Sequence, residues 1–176
     1  MSNKRPPLSG LRATAVLALA VTGMSLAGTS TADEHGLSAE TLAELAAVRG
    51  ATAAYHDIDV AFAAGYIDIN VVVPGMGCHL LNPGYLDGAF SVTEPEILVY
   101  EDCTPGLGGQ AKLRAVEYAT LCGGPPGCTL PPPDGFSGVQ DTWVPLHDAG
   151  LWTLHAWIWR HNPDHIFAPL NPRFGD

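Results

Sequence analysis

The chain carries little positive charge. Eight Lys and Arg stand against eighteen Asp and Glu in 176 residues, a formal net charge of −10 at pH 7 with His neutral. A surface of that sign repels phosphate, which argues against nucleic acid and anionic membrane as partners. Long apolar runs are scarce too. The longest, at 13–27, is shorter than the ~20 residues a bilayer-spanning helix needs. The signature loops of common enzymes are missing: G-x-S-x-G, a Walker loop, G-x-G-x-x-G between strand and helix, H-E-x-x-H and C-x-x-C-H. Their absence argues against the corresponding hydrolase, nucleotide-binding, zincin and c-type haem chemistries. Gly75-Met76-Gly77 is only two glycines in a turn. Disorder is excluded by a composition that is 47% hydrophobic and 15% charged.

What is present begins with an address. Lys4 and Arg5 precede the apolar run, and Ser30-Thr31-Ala32 offers small residues at the −3 and −1 positions of a cleavage site. This three-part pattern predicts a signal peptide over 1–32 and a secreted or periplasmic protein, with no membrane attachment after cleavage. The remainder, 33–176, is long enough for a single globular domain with a real core. It keeps five basic and eighteen acidic residues. Twenty glycines and fifteen prolines predict many turns and loops.

Export gives the four cysteines a meaning, because an even number in an oxidising compartment reads as disulfides. Three pairings are open to Cys78, Cys103, Cys122 and Cys128. Cys122 and Cys128 bracket Gly-Gly-Pro-Pro-Gly and are the favoured pair, which leaves Cys78 with Cys103. A four-cysteine zinc site is the alternative, although its usual C-x2-C knuckle is absent.

Ser38 is a candidate helix cap, with Glu40 in the first turn. Leu42, Leu45, Val48, Thr52, Tyr55, Phe62 and Tyr66 recur at spacings that predict an amphipathic helix over 39–64. Gly50 is a possible division, Thr52 a start for the second piece and Gly65 a terminator. Strands are predicted at 66–73, 96–101, 113–120 and 151–160, with a Gly-, Pro- and Cys-rich loop over 121–142 and coil over 162–176. A helix followed by strands without crossover helices is α+β, with an antiparallel sheet or small β-barrel.

Strand alternation places Leu113, Ala115, Glu117 and Ala119 on one face, and Thr153, His155, Trp157 and Trp159 on another. A carboxylate in an apolar row must be paired, protonated or bound to a metal if it is buried. The competing reading buries Arg114, Val116 and Tyr118 and leaves Glu117 in solvent. His155 among aromatics is either a packed histidine or a ligand. His79 lies just past a strand end, and His147 precedes His155 by eight residues. Together His79, Glu117, His147 and His155 form a ligand set that suits Zn, Cu, Fe or Mn without choosing among them. His56 and Asp57 read as an exposed helix face, His161 and His165 as surface residues, and His35 has no role.

Several segments resemble a family of uncharacterised exported bacterial proteins. They are Ala51-Thr52-Ala53-Ala54-Tyr55-His56-Asp57, Ala64-Gly65-Tyr66, and the run from Gly75-Met76-Gly77-Cys78-His79 to Leu80-Leu81-Asn82-Pro83. Pro95-Glu96-Ile97-Leu98-Val99-Tyr100-Glu101 and Ala115-Val116-Glu117-Tyr118 belong with them. So do Leu154-His155-Ala156-Trp157-Ile158-Trp159-Arg160-His161-Asn162-Pro163, Phe167-Ala168-Pro169 and Asn171-Pro172. The resemblance implies a His at the places of His79, His147 and His155 and an acid at Glu117, and it brings no activity. The chain departs from the pattern at Cys78, at Cys103 and over 122–128, where extra crosslinks explain the difference. Cupin-like metal barrels offer an analogy only, since no H-x-H pair precedes a Glu here.

Two functional readings follow, beside that of a plain structural domain whose aromatics are core. In the first, a sheet holds one divalent transition metal ion through His79, Glu117 and His155, with His147 as fourth ligand or acid/base. In the second, a non-catalytic module binds a small molecule in an apolar pocket lined by Trp143, Trp152, Trp157 and Trp159, oriented by histidines.

Overall fold

The computed structural model describes residues 36–124, 127–138 and 141–174. The expected signal peptide and His35 lie outside the described residues. The first element is helix α1, Ala39–Thr52. Ser38 caps it as expected, its side-chain oxygen accepting the Thr41 N–H at 3.1 Å. Thr41, Leu45, Val48 and Thr52 form its buried face. The helix runs through Gly50 and breaks three residues later, in a 3-10 turn at Ala53–His56. Asp57 then caps α2, Ile58–Ala63, by accepting the Asp59 N–H at 3.0 Å. A side-chain cap therefore decides where the helix divides, not the glycine. Gly65 follows α2 at φ +98°, a left-handed conformation that only glycine adopts without strain.

Six strands follow: β1 Ile67–Val73, β2 Gly77–Leu81, β3 Ile97–Tyr100, β4 Leu113–Leu121, β5 Val144–Leu146 and β6 Leu151–Ala156. They form one antiparallel sheet in the order β1-β2-β3-β4-β6-β5. The sheet curls into a half-barrel and stays open, with β1 and β5 at its edges. Leu45, Val48, Ile58 and Ala61 of the helices pack with Leu80, Leu98, Tyr100, Val116, Tyr118 and Leu154 on one face. Ile97, Val99, Ala115, Ala119 and Trp157 form a second cluster, with Met76, Leu86 and Phe174 packed against it. Both faces are therefore covered, and β4 is buried along almost its whole length.

Two alternation readings need correction. Val99 pairs with Ala115 but Tyr100 pairs with Leu113, so Arg114 is an extra residue in the ladder. This irregularity turns Leu113 toward the helices, while Ala115, Glu117 and Ala119 keep the other face. Similarly, β6 ends at Ala156, and Trp159 turns toward the helices. Its indole N–H donates to Thr52 Oγ1 at 3.3 Å, and its ring meets His56 edge-on at 4.3 Å.

The cysteines pair as Cys78–Cys103 and Cys122–Cys128, with Cα separations of 6.0 and 4.6 Å. The C-terminal segment is irregular, as expected, yet firmly tied. Trp157 Nε1 donates to the Ala168 carbonyl at 2.6 Å, and the Asn171 N–H reaches the Gly75 carbonyl at 2.8 Å. The segment thus runs from the end of β6 to the β1–β2 turn.

Candidate metal centre

His79 lies inside β2 rather than beyond a strand end. Paired across β3, it opposes Val99, which in turn opposes Ala115. One step along β4, Glu117 lies directly opposite His155 of β6. His79 and Glu117 are thus two strands and two residues apart, which on a flat sheet sets them about 12 Å apart. Their side-chain atoms nevertheless stand 3.6 Å apart, His79 Nε2 to Glu117 Oε2. Two long side chains leaning toward each other across β3 span the difference.

On the other side of the carboxylate, His155 Nδ1 lies 3.5 Å from Glu117 Oε1. Each of the three residues offers a donor atom within 4.8 Å of the others. All are buried, with exposures of 3% for His79, 6% for Glu117 and 3% for His155. The separations decide what this arrangement suits. Hydrogen bonds between nitrogen and oxygen run about 2.7–3.2 Å, so neither contact is one. Two donors bound to one ion at about 2.0–2.1 Å, at a tetrahedral angle, stand about 3.3–3.4 Å apart. Each imidazole nitrogen thus stands at near ligand-to-ligand spacing from one oxygen of the carboxylate.

His79 is oriented from outside the trio. Its Nδ1 lies 3.1 Å from the Val71 carbonyl, which can only accept. A proton therefore sits on Nδ1, which turns Nε2 toward Glu117; a metal-bound histidine is commonly held this way, its other ring nitrogen donating to a carbonyl. The Val71 carbonyl is free for this because β1 is irregular between Asp68 and Val72. There Asn70 adopts φ +54°, and its N–H is held by Asp68 Oδ1 at 2.8 Å.

Burial sets the charges. It pushes the Glu117 carboxyl above its usual range, against the pull of His79 and of a bond from Thr153. It lowers His155 to about 4, so this imidazole is neutral at neutral pH. His155 Nε2 is buried without a hydrogen-bond partner. A neutral imidazole beside a buried carboxylate is the donor chemistry that divalent Zn, Cu, Fe and Mn accept. Three protein donors leave a further position on such an ion.

The fourth expected ligand is not brought to the trio. His147 is exposed in the turn between β5 and β6. Leu146 pairs with Leu151 to close that hairpin, and His155 lies four residues further along β6, ~13 Å away along the strand. Its backbone carbonyl, not its ring, is engaged, accepting the Gly150 N–H at 3.1 Å. The four tryptophans do not share one pocket either. Trp157 and Trp159 line a common cleft, Trp143 sits with Phe136 elsewhere, and Trp152 donates to the Leu130 carbonyl at 2.9 Å. His56 and His161 are exposed and His165 is half-buried. Two contributors escaped the sequence reading: the Val71 carbonyl, which carries no side-chain signal, and Thr153, whose alternation with His155 placed it on the right face. No protein-family model matches the chain, and no curated protein or solved structure matches it.

Proposed function

We propose that this is an exported protein whose curled sheet binds one divalent transition metal ion through His79, Glu117 and His155. A single observation carries the reading: two imidazole nitrogens flank a buried carboxylate at 3.6 and 3.5 Å, too far for hydrogen bonds and near the spacing of ligands on one ion. Two disulfides support an oxidising compartment, in keeping with the expected leader. The motif resemblance to exported bacterial proteins joins this proposal. An ion held there would act as a Lewis acid and lower the pKa of a bound water. The chain's own part is to hold His79 by its Nδ1 proton, keep His155 neutral and exclude bulk water.

Elemental analysis of untagged protein tests the reading. The native chain is expected to carry one transition metal per molecule, and His155→Ala none, with unchanged circular dichroism. Glu117→Gln is the second variant, should His155→Ala unfold. Full occupancy in either folded variant, or a native protein that takes up no Zn, Cu, Fe or Mn, overturns it.

A further inference from the structure

We infer that the cleft between α1 and the segment following β6 is a binding site for a small organic carboxylate with a flat apolar body. It is separate from the histidine–glutamate trio. The cleft encloses about 610 Å3 and is lined by Arg49, Trp159, Arg160, Pro163, Asp164 and Ile166, among others. That volume lies in the range of small-molecule sites, about 300–1,000 Å3.

Charge argues for an anion. The described residues hold five Lys and Arg against fifteen Asp and Glu. Lys112 and Arg114 are both committed to Glu101. Arg49 and Arg160 line this one cleft, and Arg160 is itself engaged. Arg160 donates to the Arg173 carbonyl at 2.8 Å. Arg49 is half-buried and uses only Nε, which donates to the Ile158 carbonyl at 2.9 Å. Its two terminal nitrogens have no protein partner among the described residues. Asp164, on the rim, does not neutralise it: among the described residues the ion pairs of Lys and Arg are those to Glu101.

A guanidinium fixed at Nε and open at its terminal nitrogens matches a carboxylate, which accepts two parallel N–H bonds. The indole of Trp159 is itself held, by Thr52 and His56, and so offers a preset flat wall. Ile166 and Pro163 supply apolar surface. The combination recognises an aromatic acid better than a bare anion or a bare ring.

The test is calorimetric titration of the exported chain with 1-naphthoate and with 1-naphthamide, equal in shape and differing in charge. The carboxylate is expected to bind at least tenfold more tightly than the amide. In Arg49→Gln that preference is lost, and in Arg49→Lys, which keeps the charge without the fork, it is reduced but not abolished. Equal binding of the two probes, or binding of neither, overturns the inference. A preference that vanishes when a chelator is added also overturns it, by placing the anion on a metal ion. Because the probe pair needs no variant, a folding defect in Arg49→Gln does not blunt the test. Because the readout needs no metal, failure of the metal reading leaves it standing.

Discussion

Replacing Glu96 by Gln is expected to stabilise the protein at alkaline pH. Glu96 immediately precedes β3 and is 1% exposed. Its Oε2 accepts the Ala119 N–H at 3.0 Å, occupying a place in the sheet that a backbone carbonyl ordinarily takes. Burial, reinforced by Asp87 and Glu94 and opposed by the Ala119 bond, raises its carboxyl from 4.5 to about 7. Between those two values the folded chain holds a proton that the unfolded chain has released. Stability contributed by this group therefore falls as pH rises from 4.5 through 7 and is level above. The displacement corresponds to about 3 kcal/mol as an upper value. Gln keeps an acceptor for Ala119 and has no charge to bury. Urea unfolding of both proteins at pH 5 and pH 8 should show a small difference at the lower pH. At the higher pH Gln should be more stable by up to about 3 kcal/mol. Glu117 and Asp141, also raised by burial, add the same sign to both curves and cancel in the difference. Parallel curves for the two proteins, or a variant weaker at pH 8, refute the reasoning.

Two further perturbations follow from the same structure. Peptide mapping without reduction should return Cys78–Cys103 and Cys122–Cys128, which close loops of 25 and 6 residues in sequence separation. On chain entropy, Ser pairs at the first should cost about 3.5 kcal/mol and at the second about 2 kcal/mol in denaturant titrations; a larger loss at the short loop contradicts that origin. Phe174 packs on the cluster beside the trio, its ring 6.2 Å from that of Trp157. Phe174→Ala should lose metal to a chelator about tenfold faster, the effect of about 1.4 kcal/mol of lost packing, and an unchanged rate would show that this segment does not cover the site.

Much of this was legible in the sequence, for reasons that individual residues make plain. Ser38 announced α1 because a cap acts locally, and alternation put Glu117 and His155 in rows with apolar neighbours because period-two pleating is local too. Alternation left open which face of β4 is buried, and both are. Asp57 was legible only as part of an exposed motif; its cap on α2 competes with Gly50, and the cap wins. Strand β2 was hidden by Gly75 and Gly77, and β5 by its Pro145 and its three-residue length. The extra residue at Arg114 reversed Leu113, since a bulge is a property of the pair of strands and not of either one. The same limit governs the site. His79 reaches Glu117 only through the order β2-β3-β4 and the register of those strands, neither of which is written in spacing along the chain. His147 shows the converse: it is close to His155 in sequence and far from it along the hairpin.

X-ray absorption on the metal-loaded protein tests the central claim most directly. The account predicts light donors only, two imidazole nitrogens and a carboxylate oxygen at about 2.0–2.1 Å, with the imidazole signature lost in His155→Ala. Sulfur at about 2.3 Å, or a spectrum that His155→Ala leaves unchanged, would contradict it.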